Sequence, residues 1–345
     1  MKRLFFLLTF ALIGSALCGQ TVHNSKYAVK KGRIVFDAPK RAKGQQSMLG
    51  FAAAPIPVVR VGIIGLGMRG PGAVTRLGFI DNVEIRALCD LYPERIEENQ
   101  QILEKAGAPR ADEYSGEEGW KQLCERDDLD LVYIVTPWLQ HVPMAVYAME
   151  HGKHVALEVP AAQSIAECWQ LVDTSERTRR HCMMLENCVY DFFELTTLNM
   201  AQQGLFGEIL HAQGGYIHCL EQYWSSYQGN WRLDFNRRHA GDIYATHGLG
   251  PVCQALNIHR GDKMNTLVSV STGSFNGRKL GGQSGSSADF RNGDQTSTLI
   301  TTEKGKTILL QHNVMTPRPY DRLYQLVGTD GYAGKYPVEG YAFGN

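Results

Sequence analysis

In the segment Gly241-Asp242-Ile243-Tyr244-Ala245-Thr246-His247 a tyrosine and a histidine stand three residues apart. On a helix that spacing puts both side chains on one face. Histidine titrates near neutral pH, and a tyrosine hydroxyl aimed at a basic neighbour can shuttle a proton, so Tyr244 and His247 suit general acid and base work. An isolated histidine is more often a satisfied structural residue, which is the reading for His211, His218, His239 and His259. Asp242, His247 and His259 lack a metal-ligand spacing, and no metal is expected. Upstream, Tyr216, Tyr223, Trp224, Tyr227 and Trp231 crowd one short stretch of a chain that is 10% aromatic. Aromatic faces with polar handles suit sugar rings, yet such a stretch serves equally as a core patch, and both readings stand.

A second constellation would bind rather than react. Gly65, Gly67 and Gly70, in Gly65-Leu66-Gly67-Met68-Arg69-Gly70, follow the β-branched run Val58 to Ile64, and Asp90 closes the next apolar run. A bare glycine motif says little. Between a strand and a helix, with an acidic residue about twenty positions on, it is the fingerprint of a dinucleotide site. The first glycine permits the tight turn, the second lets backbone amides approach the pyrophosphate, and the third allows helix and strand to pack closely. The helix N-terminus favours the anion. The charge of Asp90 favours a free ribose diol over a ribose phosphate, hence NAD over NADP. Thr136-Pro137-Trp138-Leu139-Gln140-His141 and Glu158-Val159-Pro160 follow two later apolar runs, at strand ends where open α/β sheets bind ligands.

Regular alternation of elements must position these residues. The run Val58 to Ile64 leads to a helix over about 72–80, a strand at Val83 to Cys89, and a helix from Pro93 with Ile96 and Leu103 on one face. Leu131 to Val135, a helix bearing Val142, Ala145, Val146 and Met149, and the strand His154 to Glu158 continue the pattern. Ser164 and Glu167 form a capping box for the next helix, before a last strand at Met183 to Glu186. The fold class is α/β: a doubly wound parallel Rossmann sheet over residues 58–187. Residues 188–345 predict an α+β substrate domain with a mainly antiparallel sheet. It has a helix near Val189 to Gln203 and strands at His211 to Cys219, Thr266 to Thr272, Ser297 to Thr302 and Thr307 to Gln311. Gly281 to Ser287 reads as a flexible loop, and residues 19–57, without sustained periodicity, as a surface leader.

At the amino terminus, Met1-Lys2-Arg3 precedes the apolar run Leu4 to Ile13 and the small residues Gly14, Ser15 and Ala16. A basic region, an apolar core too short to span a bilayer and a small-residue exit make residues 1–18 a secretory signal. The protein is therefore expected to be exported to the periplasm. Cys18 offers a lipoprotein alternative, disfavoured because Leu17 stands where a small residue is wanted. Lys+Arg and Asp+Glu both number 35, which argues against nucleic acid and anionic membranes and for a small-molecule or glycan substrate. Cys89, Cys124, Cys168, Cys182, Cys188, Cys219 and Cys253 are odd in number and hold no C-x-x-C pair, so they read as small buried residues. No segment encodes an oligomeric state, and a homo-oligomer is an open option.

With these motifs the chain from Val58 to about Pro337 resembles the Gfo/Idh/MocA oxidoreductases, and within them glycoside hydrolase family 109, exported NAD-dependent N-acetylgalactosaminidases. The dehydrogenases usually carry Glu-Lys-Pro with a catalytic lysine. Here Val159 replaces it, as in the glycosidases, which also share Met68-Arg69, Asn187 and the segment from Gly241 to His247. The resemblance implies NAD contacts from Gly65, Gly67, Met68, Arg69, Gly70, Asp90, Trp138, Leu139, Gln140, His141, Glu158, Val159 and Asn187, and from Tyr244, Ala245, Thr246 and His247. It implies a catalytic pair in Tyr244 and His247, with substrate contacts from Tyr216, Arg232, Tyr244 and Tyr320.

An exported enzyme meets no large pool of free NAD, which favours a retained cofactor. The implied cycle moves hydride from C3 of the N-acetyl sugar to NAD, removes the C2 proton, expels the aglycone, adds water and returns the hydride. An exported sugar oxidoreductase and a non-catalytic sugar-binding protein that keeps NAD are the alternatives. Members of the family run longer, so part of the second domain is expected beyond Asn345.

Overall fold

The structure is a computed structural model and describes residues 27–36, 38–226, 231–283 and 290–344. The signal segment with Cys18, the start of the leader, Tyr227 and Ser284 to Ser287 lie outside the described residues. The leader is not wholly irregular. Tyr27–Lys30 (β1) and Arg33–Phe36 (β2) pair as an antiparallel hairpin. Lys31 and Gly32 turn it with φ of 51° and 75°, the positive values a two-residue hairpin loop needs.

Six parallel strands follow: Val59–Ile64 (β3), Val83–Asp90 (β4), Asp112–Ser115 (β5), Leu131–Ile134 (β6), His154–Leu157 (β7) and Cys182–Met184 (β8), in the order β5-β4-β3-β6-β7-β8. Helices Gly70–Leu77 (α1), Pro93–Lys105 (α2), Gly119–Cys124 (α3), His141–Glu150 (α4) and Ile165–Thr178 (α5) connect them. Strand order reverses between β3 and β6, and Ile64 is level with Cys89 and with Ile134. The loops after β3, β4 and β6 therefore open at one edge, where doubly wound sheets hold ligands. Apolar layers cover both faces: Ile96 and Leu103 pack on one, and Val142, Ala145 and Met149 on the other. The Ser164 hydroxyl accepts the Glu167 amide at 3.2 Å, and the Glu167 carboxylate accepts the Gln163 amide at 2.7 Å, closing the expected cap one residue early.

The second sheet has seven strands: Ile209–Ile217 (β9), Met264–Ser271 (β10), Thr296–Thr302 (β11), Thr307–Asn313 (β12), Tyr324–Gly328 (β13), Gly331–Gly334 (β14) and Gly340–Phe343 (β15). Their order is β10-β11-β12-β9-β13-β14-β15, antiparallel except where β12 lies parallel to β9. Phe192–Gln202 (α6), Trp231–Arg238 (α7), Thr246–Ala255 (α8) and Asn276–Gln283 (α9) accompany it. The glycine-rich stretch read as a flexible loop begins inside α9, so Gly281 and Gly282 are helical. Helix α8 presses main chain to main chain on β9: a Cβ at Gly214 would overlap the Gly248 carbonyl, and one at Gly248 the Gly215 amide. No helix among the described residues is long and apolar enough to cross a membrane.

Candidate active site

A cleft of about 760 Å³ opens at the carboxyl ends of β3, β4 and β6. Gly65 makes its floor, with φ of 97° and no room for a side chain: a Cβ would fall 2.7 Å from the Val135 carbonyl carbon. Gly70 does not line the cleft; it lets α1 approach, since a Cβ there would lie 2.9 Å from the Gly65 oxygen. Buried Asp90 lines the cleft and also shapes it, accepting the Leu66 amide at 2.7 Å through Oδ2 and the Tyr92 amide at 3.1 Å through Oδ1. A glycine turn with no room for a Cβ at Gly65 and Gly70 and a carboxylate at the second strand end fit a dinucleotide. Met68, Arg69, Trp138, Leu139, Gln140, Glu158, Val159, Arg232 and Tyr244 complete that wall.

Several residues expected at the cofactor stand back from this cleft: His141, Asn187, Ala245, Thr246 and His247 do not line it. His141 is fully buried, its ring nitrogens 2.8 Å from the Pro160 carbonyl and 2.9 Å from the Thr136 carbonyl. It ties together the loops after β6 and β7.

Tyr244, which lines the cleft, meets His247, which does not: their ring centroids lie 4.7 Å apart and nearly perpendicular. They do so without sharing a helix, because α8 begins at Thr246 and Tyr244 lies in the turn before it. Tyr244 stacks on Trp138 at 5.1 Å, with the Arg232 guanidinium 4.8 Å from its ring. Burial raises its phenol, against the pull of Arg232, so the hydroxyl holds its proton. The Tyr244 hydroxyl lies 3.5 Å from the Val159 carbonyl.

Behind His247 stands a residue that the sequence reading missed. Glu186, just past β8, places Oε1 2.5 Å from Nδ1 of His247 and accepts the Cys188 amide at 3.0 Å. Burial, the largest single effect, would raise this carboxyl, but the His247 hydrogen bond and charge, the Cys188 amide and the Thr246 hydroxyl together outweigh it and hold it below the ordinary range. Burial lowers His247 in turn, opposed by Glu186 and aided by Arg322 and Arg232. At neutral pH the pair is thus a carboxylate and a neutral imidazole with its proton on Nδ1, leaving the Nε2 lone pair free as a base. Asp90, Glu158 and Glu186 each close or follow a strand of the first sheet, which is the signal that could have found it.

The aromatic stretch divides between its two readings. Tyr216 and Trp224 are buried, whereas Tyr223 is partly exposed, 5.6 Å from His218. Tyr216 lies 5.3 Å from the His247 ring and accepts Arg232 at 3.3 Å; the Arg322 guanidinium sits 4.2 Å over its ring. Arg322 also donates to the Tyr320 hydroxyl at 2.6 Å, and Tyr320 is half exposed. His218, read as structural, lies among Tyr216, Tyr223 and Tyr320, with its pKa pushed down to about 4 by burial and by Arg322, Arg232 and Arg69.

Residues 59–186 match the oxidoreductase family, NAD-binding Rossmann fold, and residues 190–340 match the glycosyl hydrolase 109, C-terminal domain. A glycosyl hydrolase family 109 protein of Bacteroides thetaiotaomicron is 60% identical over 99% of this chain and 73% of its own length. The chain belongs to glycosyl hydrolase family 109. A Porphyromonas gingivalis member of this family is also 60% identical, over 95% of this chain and 71% of that one. The family 109 chain is a glycoside hydrolase with an NAD-binding Rossmann domain. Its fold is similar to that of scyllo-inositol dehydrogenase from Lactobacillus casei, solved with NAD(H) and scyllo-inositol. There the TM-score is 0.64 at 16% identity, over 81% of this chain and 77% of that one. The WlbA dehydrogenase from Chromobacterium violaceum, solved with NADH and UDP-GlcNAcA, gives 0.66 at 15% identity, over 85% and 80%.

Proposed function

We propose that this hydrolase is exported and cleaves α-linked N-acetylgalactosaminides, with His247 as base and Tyr244 as acid. The observation that carries this reading is the order Glu186, His247, Tyr244: a carboxylate fixes the imidazole tautomer, and a protonated phenol faces the same ring. Bound NAD supplies a hydride acceptor and donor at the sugar. Nε2 of His247 takes the proton from sugar C2, and Glu186 balances the charge that the ring gains. The Tyr244 hydroxyl hands its proton to the departing glycosidic oxygen, and Arg232 beside the ring steadies the phenolate left behind. Gly65, Gly67, Met68, Arg69, Asp90, Trp138 and Glu158 of the cleft would hold the dinucleotide, while Arg232, with Tyr216 against it and Tyr320 joined to Tyr216 through Arg322, would hold the sugar. Val159 leaves the cleft without the lysine that dehydrogenases of this type carry there, which supports cleavage over net oxidation. Export is supported by the basic, apolar and small-residue order of Lys2 to Ala16.

Turnover of nitrophenyl N-acetyl-α-galactosaminide in deuterated water tests this reading. It should release nitrophenol and leave deuterium at C2 of the sugar. Nitrophenol without deuterium would overturn the proton abstraction, and reduction of a carbonyl sugar without any glycoside cleavage would make the protein an oxidoreductase.

A further inference from the structure

The hydrogen bond between His247 and Glu186 has a third neighbour. Cys188 is 2% exposed, and one ligand atom from each of Glu186, Cys188 and His247 lies within 4.8 Å of the others. Three atoms so placed share a point no more than about 2.8 Å from each, and zinc ligands sit at about 2.0 to 2.3 Å, so small side-chain rotations close the gap. Carboxylate, thiolate and imidazole form a donor set suited to a borderline-soft dication. The backbone holds all three in place: Glu186 and Cys188 lie two apart in a 3-10 turn and its cap, and α8 carries His247 from the second sheet.

We propose that Glu186, Cys188 and His247 form a regulatory site for zinc, and that occupancy switches the active centre off. The ion takes the Nδ1 lone pair of His247, so the ring proton moves to Nε2 and the base becomes a donor. The thiol proton of Cys188 leaves to solvent, and nothing is oxidised or reduced. Thiolate and carboxylate together balance the double charge of the ion, and water fills the fourth tetrahedral position. The site rests on geometry alone; its effect on turnover rests on His247 acting as the base proposed above.

Metal-stripped, NAD-loaded protein titrated with Co2+ should develop the near-ultraviolet charge-transfer absorption of a cobalt–thiolate bond at one equivalent, discharged by Zn2+. Glycoside turnover should fall by about 10²-fold with Zn2+, the scale of a lost general base, and return on chelation. Cys188→Ser and Cys188→Ala should each lose the band and the zinc response, with turnover in zinc-free buffer unchanged. No band in the parent protein, or a band that persists in both variants, sinks the site. Imidazole nitrogen shifts of His247 report the tautomer whether or not a glycoside is cleaved. A proton that stays on Nδ1 in the zinc-loaded protein overturns the switch, as does a zinc-bound protein with undiminished turnover.

Discussion

Glu186 and His247 stand 2.5 Å apart across the junction of the two sheets: the carboxylate follows the last strand of the first, and the imidazole rides on a helix packed against the second. The proposed base therefore draws on both sheets. Glu186→Gln keeps the shape but lets the ring choose either tautomer. Turnover is expected to fall by about 10²-fold with little change in KM, read from steady-state kinetics on an aryl glycoside. A variant as active as the parent would remove Glu186 from catalysis.

The direction of the His247 shift sets the acid limb of activity. Burial and the two nearby arginines keep the ring neutral below its ordinary value of about 6.5, so kcat/KM should hold into mildly acidic buffer. Arg322→Gln removes one opposing charge and should move the limb to higher pH. Glu186→Gln removes the group that favours the imidazolium and should move it lower. A pH profile of the three proteins checks both signs.

His312 on β12 is 1% exposed, neither ring nitrogen has a hydrogen-bond partner among the described residues, and burial pushes its pKa down to about 3. In the unfolded chain the same ring titrates near 6.5, so the unfolded state takes up the proton first as pH falls. This group's contribution is fully present above about 6.5 and drains away between there and about 3. His312→Phe should therefore narrow the gap between urea midpoints measured at neutral pH and at pH about 5. An unchanged gap would place the acid loss elsewhere.

Asp90 has two tasks, facing the cleft and fixing the turn through the Leu66 amide. Asp90→Asn keeps an amide oxygen for Leu66 and removes the charge. NAD affinity should fall about tenfold and discrimination against NADP should shrink, as measured by fluorescence titration of cofactor-stripped protein. Full retention of both would assign Asp90 to the turn alone.

Gly214→Ala and Gly248→Ala each force a methyl group into main chain. Each should cost about 1 to 3 kcal/mol or more and lower the thermal midpoint, and the damage should reach activity because α8 carries His247. A control at Gly340, which has open space around it, should leave the midpoint in place.

The first sheet was legible because its central strands are buried towards their carboxyl ends, so β6 is an unbroken apolar run and β3, apart from Arg60 and Gly62, is built of Val and Ile. Asp112–Ser115 escaped notice for the opposite reason: an edge strand of Asp, Glu, Tyr and Ser, mostly in solvent, carries no such signature. The hairpin β1-β2 is exposed along its whole length, and β14 and β15 are short and begin at glycines; such strands are defined by their partners rather than by their own residues.

The site followed the same division. Gly65, Asp90, Tyr244 and His247 stand in local patterns, whereas Glu186 acquires its role from a residue 61 positions away. His141 is expected at the cofactor from the family resemblance alone; in the fold the turn of Trp138 to Gln140 carries its ring into the protein, against the Pro160 and Thr136 carbonyls.

The glycine contact between α8 and β9 bears on how enzymes of this architecture can diverge. Where main chain meets main chain there is no side chain to exchange, so the depth of His247 is not open to gradual adjustment. Drift in selectivity is expected instead at positions that solvent reaches beside the buried aromatic cluster, such as Tyr223 and Tyr320, which lie against His218. Libraries built for altered selectivity should be aimed at those exposed positions and spare Gly214 and Gly248.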